Sequence, residues 1–180
     1  GDGTESGDVR GPTGVLWLED VAQISVSQDQ SCAVAGDVVW CWGSNEGGVV
    51  APSSAPYFNR PVPRADAGEA SSVDVFGDTA CAVRDDGKVT CWGGNAVGQA
   101  ELISQFDGVV EQVSVGGAFQ CVLLETSQVA CWGQLPVIGT FGRGLGGELN
   151  LNTIPLVGAA AQVEAGAEHL CIRTDSANVY

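Results

Sequence analysis

Seven cysteines carry most of the reactive chemistry in this chain, at positions 32, 41, 81, 91, 121, 131 and 171. Sulfur at that density can hold zinc or close disulfides. Structural zinc is bound through close pairs, with about two to four residues between ligands. Here Cys32 and Cys41, Cys81 and Cys91, and Cys121 and Cys131 are nine or ten residues apart. Disulfides fit that spacing better, and no metal site is expected.

Other reactive side chains are sparse. His169 is the only histidine and stands two residues before Cys171, where the other copies have Gln30, Thr79 and Phe119. A position that varies so freely reads as a turn residue, not a general base. A serine nucleophile would need that same histidine, and no Gly-x-Ser-x-Gly elbow is present. Asp2, Glu5 and Asp8 lack the spacing and the distal glutamate of a calcium loop. The expectation is a protein that is not an enzyme, with no catalytic residue, no metal and no cofactor.

The elements that position the cysteines are hairpins. Residues 32–43 read CAVAGDVVWCWG, 81–93 CAVRDDGKVTCWG, 121–133 CVLLETSQVACWG and 171–180 CIRTDSANVY. Symmetry about Asp86 sets Arg84 opposite Lys88 across the loop Asp85, Asp86, Gly87, with Gly87 as the left-handed residue. The first copy is one residue shorter; its loop Gly36-Asp37 sets Ala35 opposite Val38 and still brings Cys32 opposite Cys41. Directly opposed residues have Cβ atoms about 4.5–5.5 Å apart, within reach of a disulfide. The expected bridges are Cys32 with Cys41, Cys81 with Cys91 and Cys121 with Cys131, each contributing roughly 2–3 kcal/mol by chain entropy. Cys171 is left unpaired.

Composition agrees with short strands and tight turns: 44% hydrophobic residues and 26 glycines in 180. Disulfides imply an oxidising location: secretion, the cell surface or a periplasm. The net charge of -15, with Lys88 the sole lysine, opposes binding to nucleic acid or anionic lipid. No run approaches about 18 apolar residues, so no membrane span is expected. The opening GDGTESGDVR has no leader-like segment in this numbering.

Internal repetition decides the fold class. The first cysteines of the hairpins fall at 32, 81, 121 and 171, and nine residues upstream of each begins a short strand: Gln23-Ile24-Ser25-Val26, Ser72-Val73-Asp74-Val75, Gln112-Val113-Ser114-Val115 and Gln162-Val163-Glu164-Ala165. Units of this size made of short strands predict an all-β fold, a β-propeller. Trp42, Trp92 and Trp132 are equivalent and are expected to pack between blades. Asn45 and Asn95 are expected to close turns through their side chains.

CAVAGDVVWCWGSN and CAVRDDGKVTCWGGNAVGQ resemble the repeat of the regulator of chromosome condensation family, in its cysteine-bearing bacterial secreted form. The resemblance implies a wheel that usually has seven blades, of which this chain supplies about four units. These run about 24–72, 73–112, 113–162 and 163–180, with 1–23 supplying the complementary part of a repeat. Gly1-Asp2-Gly3-Thr4 and Asn178-Val179-Tyr180 are in phase, with roughly ten residues of one repeat between them. The expectation is a segment of a longer propeller, or copies that complete one another, with Cys171 pairing with a cysteine directly after Tyr180 in the intact molecule.

Two long connections are candidate partner-binding loops. Residues 47–66 carry Tyr57, Phe58 and Arg60, and residues 134–150 carry Phe141 and Arg143. Aromatics with arginine suit a binding surface; the alternative is that they pin the loops to the propeller. The resulting expectation is a non-enzymatic extracellular protein-binding scaffold. The alternatives are a filament-forming surface or matrix protein and, third, an enzyme with its site in the propeller channel.

Overall fold

The computed structural model describes residues 14–15, 17–94, 108–133, 152–153 and 158–180. Its strands form four antiparallel sheets. The first holds β1 (Val21–Val26), β2 (Gln30–Ala35), β3 (Val38–Ser44) and β4 (Tyr57–Pro63). The second holds β5 (Ala70–Phe76), β6 (Thr79–Arg84) and β7 (Val89–Gly93). The third holds β8 (Val110–Val115), β9 (Phe119–Leu124), β10 (Val129–Gly133) and β11 (Asn152–Thr153). The fourth pairs β12 (Ala160–Ala165) with β13 (Leu170–Thr174). The chain is all-β, and the sheets are blades of a partial β-propeller, each inner strand packing on the next.

Hairpin registers follow from turn chemistry. Gly36 and Asp37 both take positive φ, the two-residue turn that matches strand twist, and Ala35 stands opposite Val38. In the second hairpin the Arg84 N–H donates to the Lys88 carbonyl at 2.8 Å and Gly87 is left-handed. A side chain at Gly87 would run into Val109. Ser127 and Ala177 hold the same left-handed position in the third and fourth hairpins without a glycine's freedom.

Each sheet has two unlike faces, because side chains alternate along a strand. Cys32, Val34, Val39 and Cys41 of the first sheet share a core cluster with Val73, Val75, Ala80, Ala82 and Trp92 of the second. Cys81, Val83, Val89 and Cys91 in turn meet Val113, Val122 and Trp132 of the third, and Cys121, Leu123 and Cys131 meet Val163 and Ile172 of the fourth. Every cysteine pair faces the following blade; Trp92 and Trp132 face the preceding one.

One feature escapes the sequence pattern. In all four inner strands the register slips at the same place, between Val21 and Gln23, Ala70 and Ser72, Val110 and Gln112, and Ala160 and Gln162. Such bulges re-aim the side chains that follow. Beyond the slip, Gln23, Ser25 and their counterparts point toward the next blade.

Candidate interaction surface

The residues expected to do chemistry are placed in three settings. The cysteines form bridges Cys32–Cys41, Cys81–Cys91 and Cys121–Cys131, with Cα–Cα separations of 4.2, 4.0 and 4.1 Å. All six are buried. Cys171 is exposed and has no disulfide partner among the described residues. His169 is exposed in the turn before β13, where its carbonyl accepts the Gly166 N–H at 2.8 Å.

Tyr57, Phe58 and Arg60 are not in a loop. They lie on β4, the fourth strand of the first sheet, paired with β3 through Ser44–Tyr57 and Gly43–Phe58. Pro61 and Pro63 are tolerated there because β4 is an edge strand, whose outward groups need no ladder partner. Phe58 packs against the core cluster between the first two sheets, whereas Tyr57 is exposed. The Arg60 guanidinium stacks 4.5 Å from the ring centre of Trp17, itself exposed. Trp17 and Arg60 thus form an exposed aromatic and cationic pair, and exposed Tyr57 lies on the same edge strand as Arg60. Phe141 and Arg143 lie outside the described residues, as do Asp2, Glu5, Asp8 and Asn95.

Asn45 organises the connection into β4. Its Oδ1 accepts the N–H groups of Val50 and Ala51 at 3.0 and 2.9 Å, and its Nδ2 donates to the carbonyls of Ser53 and Ala55 at 3.0 and 2.9 Å. Arg64, also unforeseen, is buried after β4. It donates to the Gly48 carbonyl at 2.9 Å and to Asp66 at 2.6 Å, and lies 5.2 Å from the Trp92 ring centre. Burial lowers its pKa and Asp66 works against that shift. The Trp92 indole donates to the Val49 carbonyl at 2.8 Å, so arginine and tryptophan together seal the connection over the first blade boundary. Trp42 departs from the expected packing. It is only half-buried and borders an apolar cavity with Val15, Leu18, Ile24 and Val26.

The third setting is the axial row, where the inner strands are stitched by side chains. Gln23 donates from Nε2 to the Val73 carbonyl at 2.9 Å and accepts the Val73 N–H at 2.8 Å. Gln112 does the same with Val163, at 2.8 and 3.0 Å. Ser25 donates to Asp74 at 2.6 Å and accepts the Val75 N–H at 3.1 Å. Asp74 then accepts the Val115 N–H at 2.7 Å, and Ser114 the Ala165 N–H at 2.9 Å. A cavity of about 210 Å³ lies among Gln23, Ser25, Asp74, Gln112 and Glu164. Burial raises the Asp74 pKa, against the hydrogen bonds from Ser25, Val115 and Val75. Among the described residues no group of three or more His, Cys, Asp or Glu could hold a metal ion. No helix among them is long and apolar enough to cross a membrane.

Comparison with known proteins fits this geometry. Residues 77–99, which span the Cys81–Cys91 hairpin, match the regulator of chromosome condensation (RCC1) repeat. That segment carries an RCC1 repeat. No curated protein sequence matches it. Among solved structures, Prp20p from Saccharomyces cerevisiae, described with its binding properties to Gsp1p and histones, is 15% identical with a TM-score of 0.71, over 92% of this chain and 46% of that one. Human WBSCR16 is 18% identical with a TM-score of 0.67, over 86% and 44%. The CRINKLY ectodomain of the Arabidopsis thaliana receptor kinase ACR4 is 20% identical with a TM-score of 0.59, over 89% and 52%. At these identities the likeness establishes the fold, and the RCC1-repeat chain spans about half the length of these propellers.

Proposed function

We propose that this chain is a non-enzymatic, extracellular protein-binding scaffold of the RCC1-repeat type, stapled by one disulfide per hairpin, that contacts its partner through Trp17, Tyr57 and Arg60. The observation that carries the reading is the exposed Trp17–Arg60 stack, with exposed Tyr57 on the same edge strand as Arg60. Aromatic and arginine side chains held outside a core have the composition of binding hot spots. The yeast propeller's binding of protein partners supports a scaffold role. An extracellular setting is supported by the three bridges and by the likeness to a receptor ectodomain.

The test is co-purification from the extracellular fraction, with wild-type chain and a Trp17→Ala/Arg60→Ala variant as paired baits. A protein retained by the wild type and lost from the variant, with unchanged circular dichroism, supports the proposal. Lowered stability with binding retained would reassign the stack to pinning the outer strand.

A further inference from the structure

The inner strands are joined by a repeated device that is interrupted at one boundary. On an antiparallel pair every second residue turns its N–H and C=O away from the partner strand. Val73, Val113 and Val163 are equivalent by register, standing opposite Ala82, Val122 and Ile172. Gln23 brackets the N–H and carbonyl of Val73 with an acceptor and a donor together, and Gln112 does so at Val163. Val113 turns the same way, since Val115, two residues on, sends its N–H to Asp74. The residue placed to bracket Val113 is Ser72, which stands opposite Val83 as Gln23 stands opposite Val34 and Gln112 opposite Leu123.

A serine cannot supply the bracket. Its single hydroxyl stops short of the next strand, and Ser72 Oγ is buried with no hydrogen-bond partner. Among the described residues no other side chain bonds to the Val113 N–H or carbonyl. The axial cavity of about 210 Å³ opens here, with Ser72 and Val113 both in its wall. It admits one group of side-chain size, since pockets for larger ligands run from about 300 Å³. Asp74 and Glu164 line the same cavity, so an anion is repelled. Both strands that frame the interrupted boundary, β5 and β8, are flanked by blades on either side, and the site is independent of whatever adjoins β1 or β13.

We infer that the boundary between the second and third blades is a binding site for a primary carboxamide, held in the manner of Gln23 and Gln112. The amide NH2 donates to the Val113 carbonyl, its oxygen accepts the Val113 N–H, and the Ser72 hydroxyl donates to the same oxygen. The ligand is a small neutral or cationic amide, or the asparagine or glutamine side chain of a partner. A carboxylate is refused, because it has no donor for the Val113 carbonyl and meets Asp74 and Glu164.

The test follows the Val113 amide of the full chain by nitrogen–proton NMR during titration with propionamide, with propionate, with the peptide acetyl-Gly-Gln-Gly-methylamide and with its glutamate counterpart. Both amides should give a saturable shift at Val113, with Kd on the order of millimolar for propionamide because so few atoms make contact. The two carboxylates should bind about tenfold more weakly or worse, since each leaves a buried group unpaired. Tighter binding of the peptide identifies a partner side chain as the natural occupant, and tighter binding of propionamide a free small amide. Ser72→Gln brings its own carboxamide to Val113 and should abolish both shifts, whereas Ser72→Ala keeps the Val113 pair and should retain them. No saturable shift with either amide, an equal response to the carboxylates, or a shift that survives Ser72→Gln would overturn the inference.

Discussion

The Ser25 hydroxyl donates to Asp74 at 2.6 Å across the first blade boundary, and the other oxygen of that carboxylate takes the Val115 N–H of the third blade. One side chain therefore ties three blades. Burial raises its pKa above the ordinary carboxylate value. The folded state then binds the proton more tightly than the unfolded one, so this group's contribution is greatest below the unfolded pKa of about 3.9 and declines as pH rises through the higher folded value.

Asp74→Asn keeps an acceptor for Val115 and removes the charge. Urea titrations across that window should show the variant losing less stability than wild type as pH rises. An identical slope for the two would remove Asp74 from the pH response.

Asn45 uses all of its hydrogen-bonding capacity on one connection while buried. Asn45→Ala strands two N–H groups and two carbonyls, at about 1–3 kcal/mol for each one left dry. Chemical denaturation should show a loss of roughly 3 kcal/mol, since water reaches some of them. A loss within experimental error would mean that the connection holds itself.

The hairpin tips give a matched pair of substitutions. Gly87→Ala meets both a left-handed backbone and the Val109 side chain, and should destabilise by about 1–2 kcal/mol. Ser127→Gly relieves the same backbone strain in the third hairpin, with an expected gain of about 0.5–1 kcal/mol. Thermal melts of the two should move in opposite directions.

The bridges lie inside blade boundaries, so their sulfurs should resist reductant until blades separate. Free-thiol titration in native buffer with excess dithiothreitol should release Cys81 and Cys91 much more slowly than in denaturant, both being buried against the third sheet. Replacing that pair with alanines should cost roughly 2–3 kcal/mol for a closed loop of this length.

Much of this architecture is legible in the residues. The Cys32–Cys41 spacing and the Gly36-Asp37 turn set the register, because a two-residue turn leaves only one alignment of its arms. The polar alternation Gln23-Ile24-Ser25, repeated at Gln112 and Gln162, was the available signal for the axial row. Its meaning depended on bulges that no special residue announces, since the slips hold alanine at 22 and 161, serine at 71 and glutamate at 111. β4 was hidden by its prolines, which argue against a strand unless it lies at an edge. Arg64 gave no warning, because its position beside Trp92 arises from chain segments brought together only by packing the first blade on the second.

Closing each loop across the arms of its own hairpin also limits how far the protein can be stretched. Under a pull on its two termini, the residues between Cys81 and Cys91 stay bypassed by the sulfur link, a separation of 10. At about 3.5 Å per residue the withheld contour is roughly 35 Å for each bridged hairpin. A ruptured blade thus yields a short extension and keeps its turn threaded, so recoil begins from a hairpin already in register.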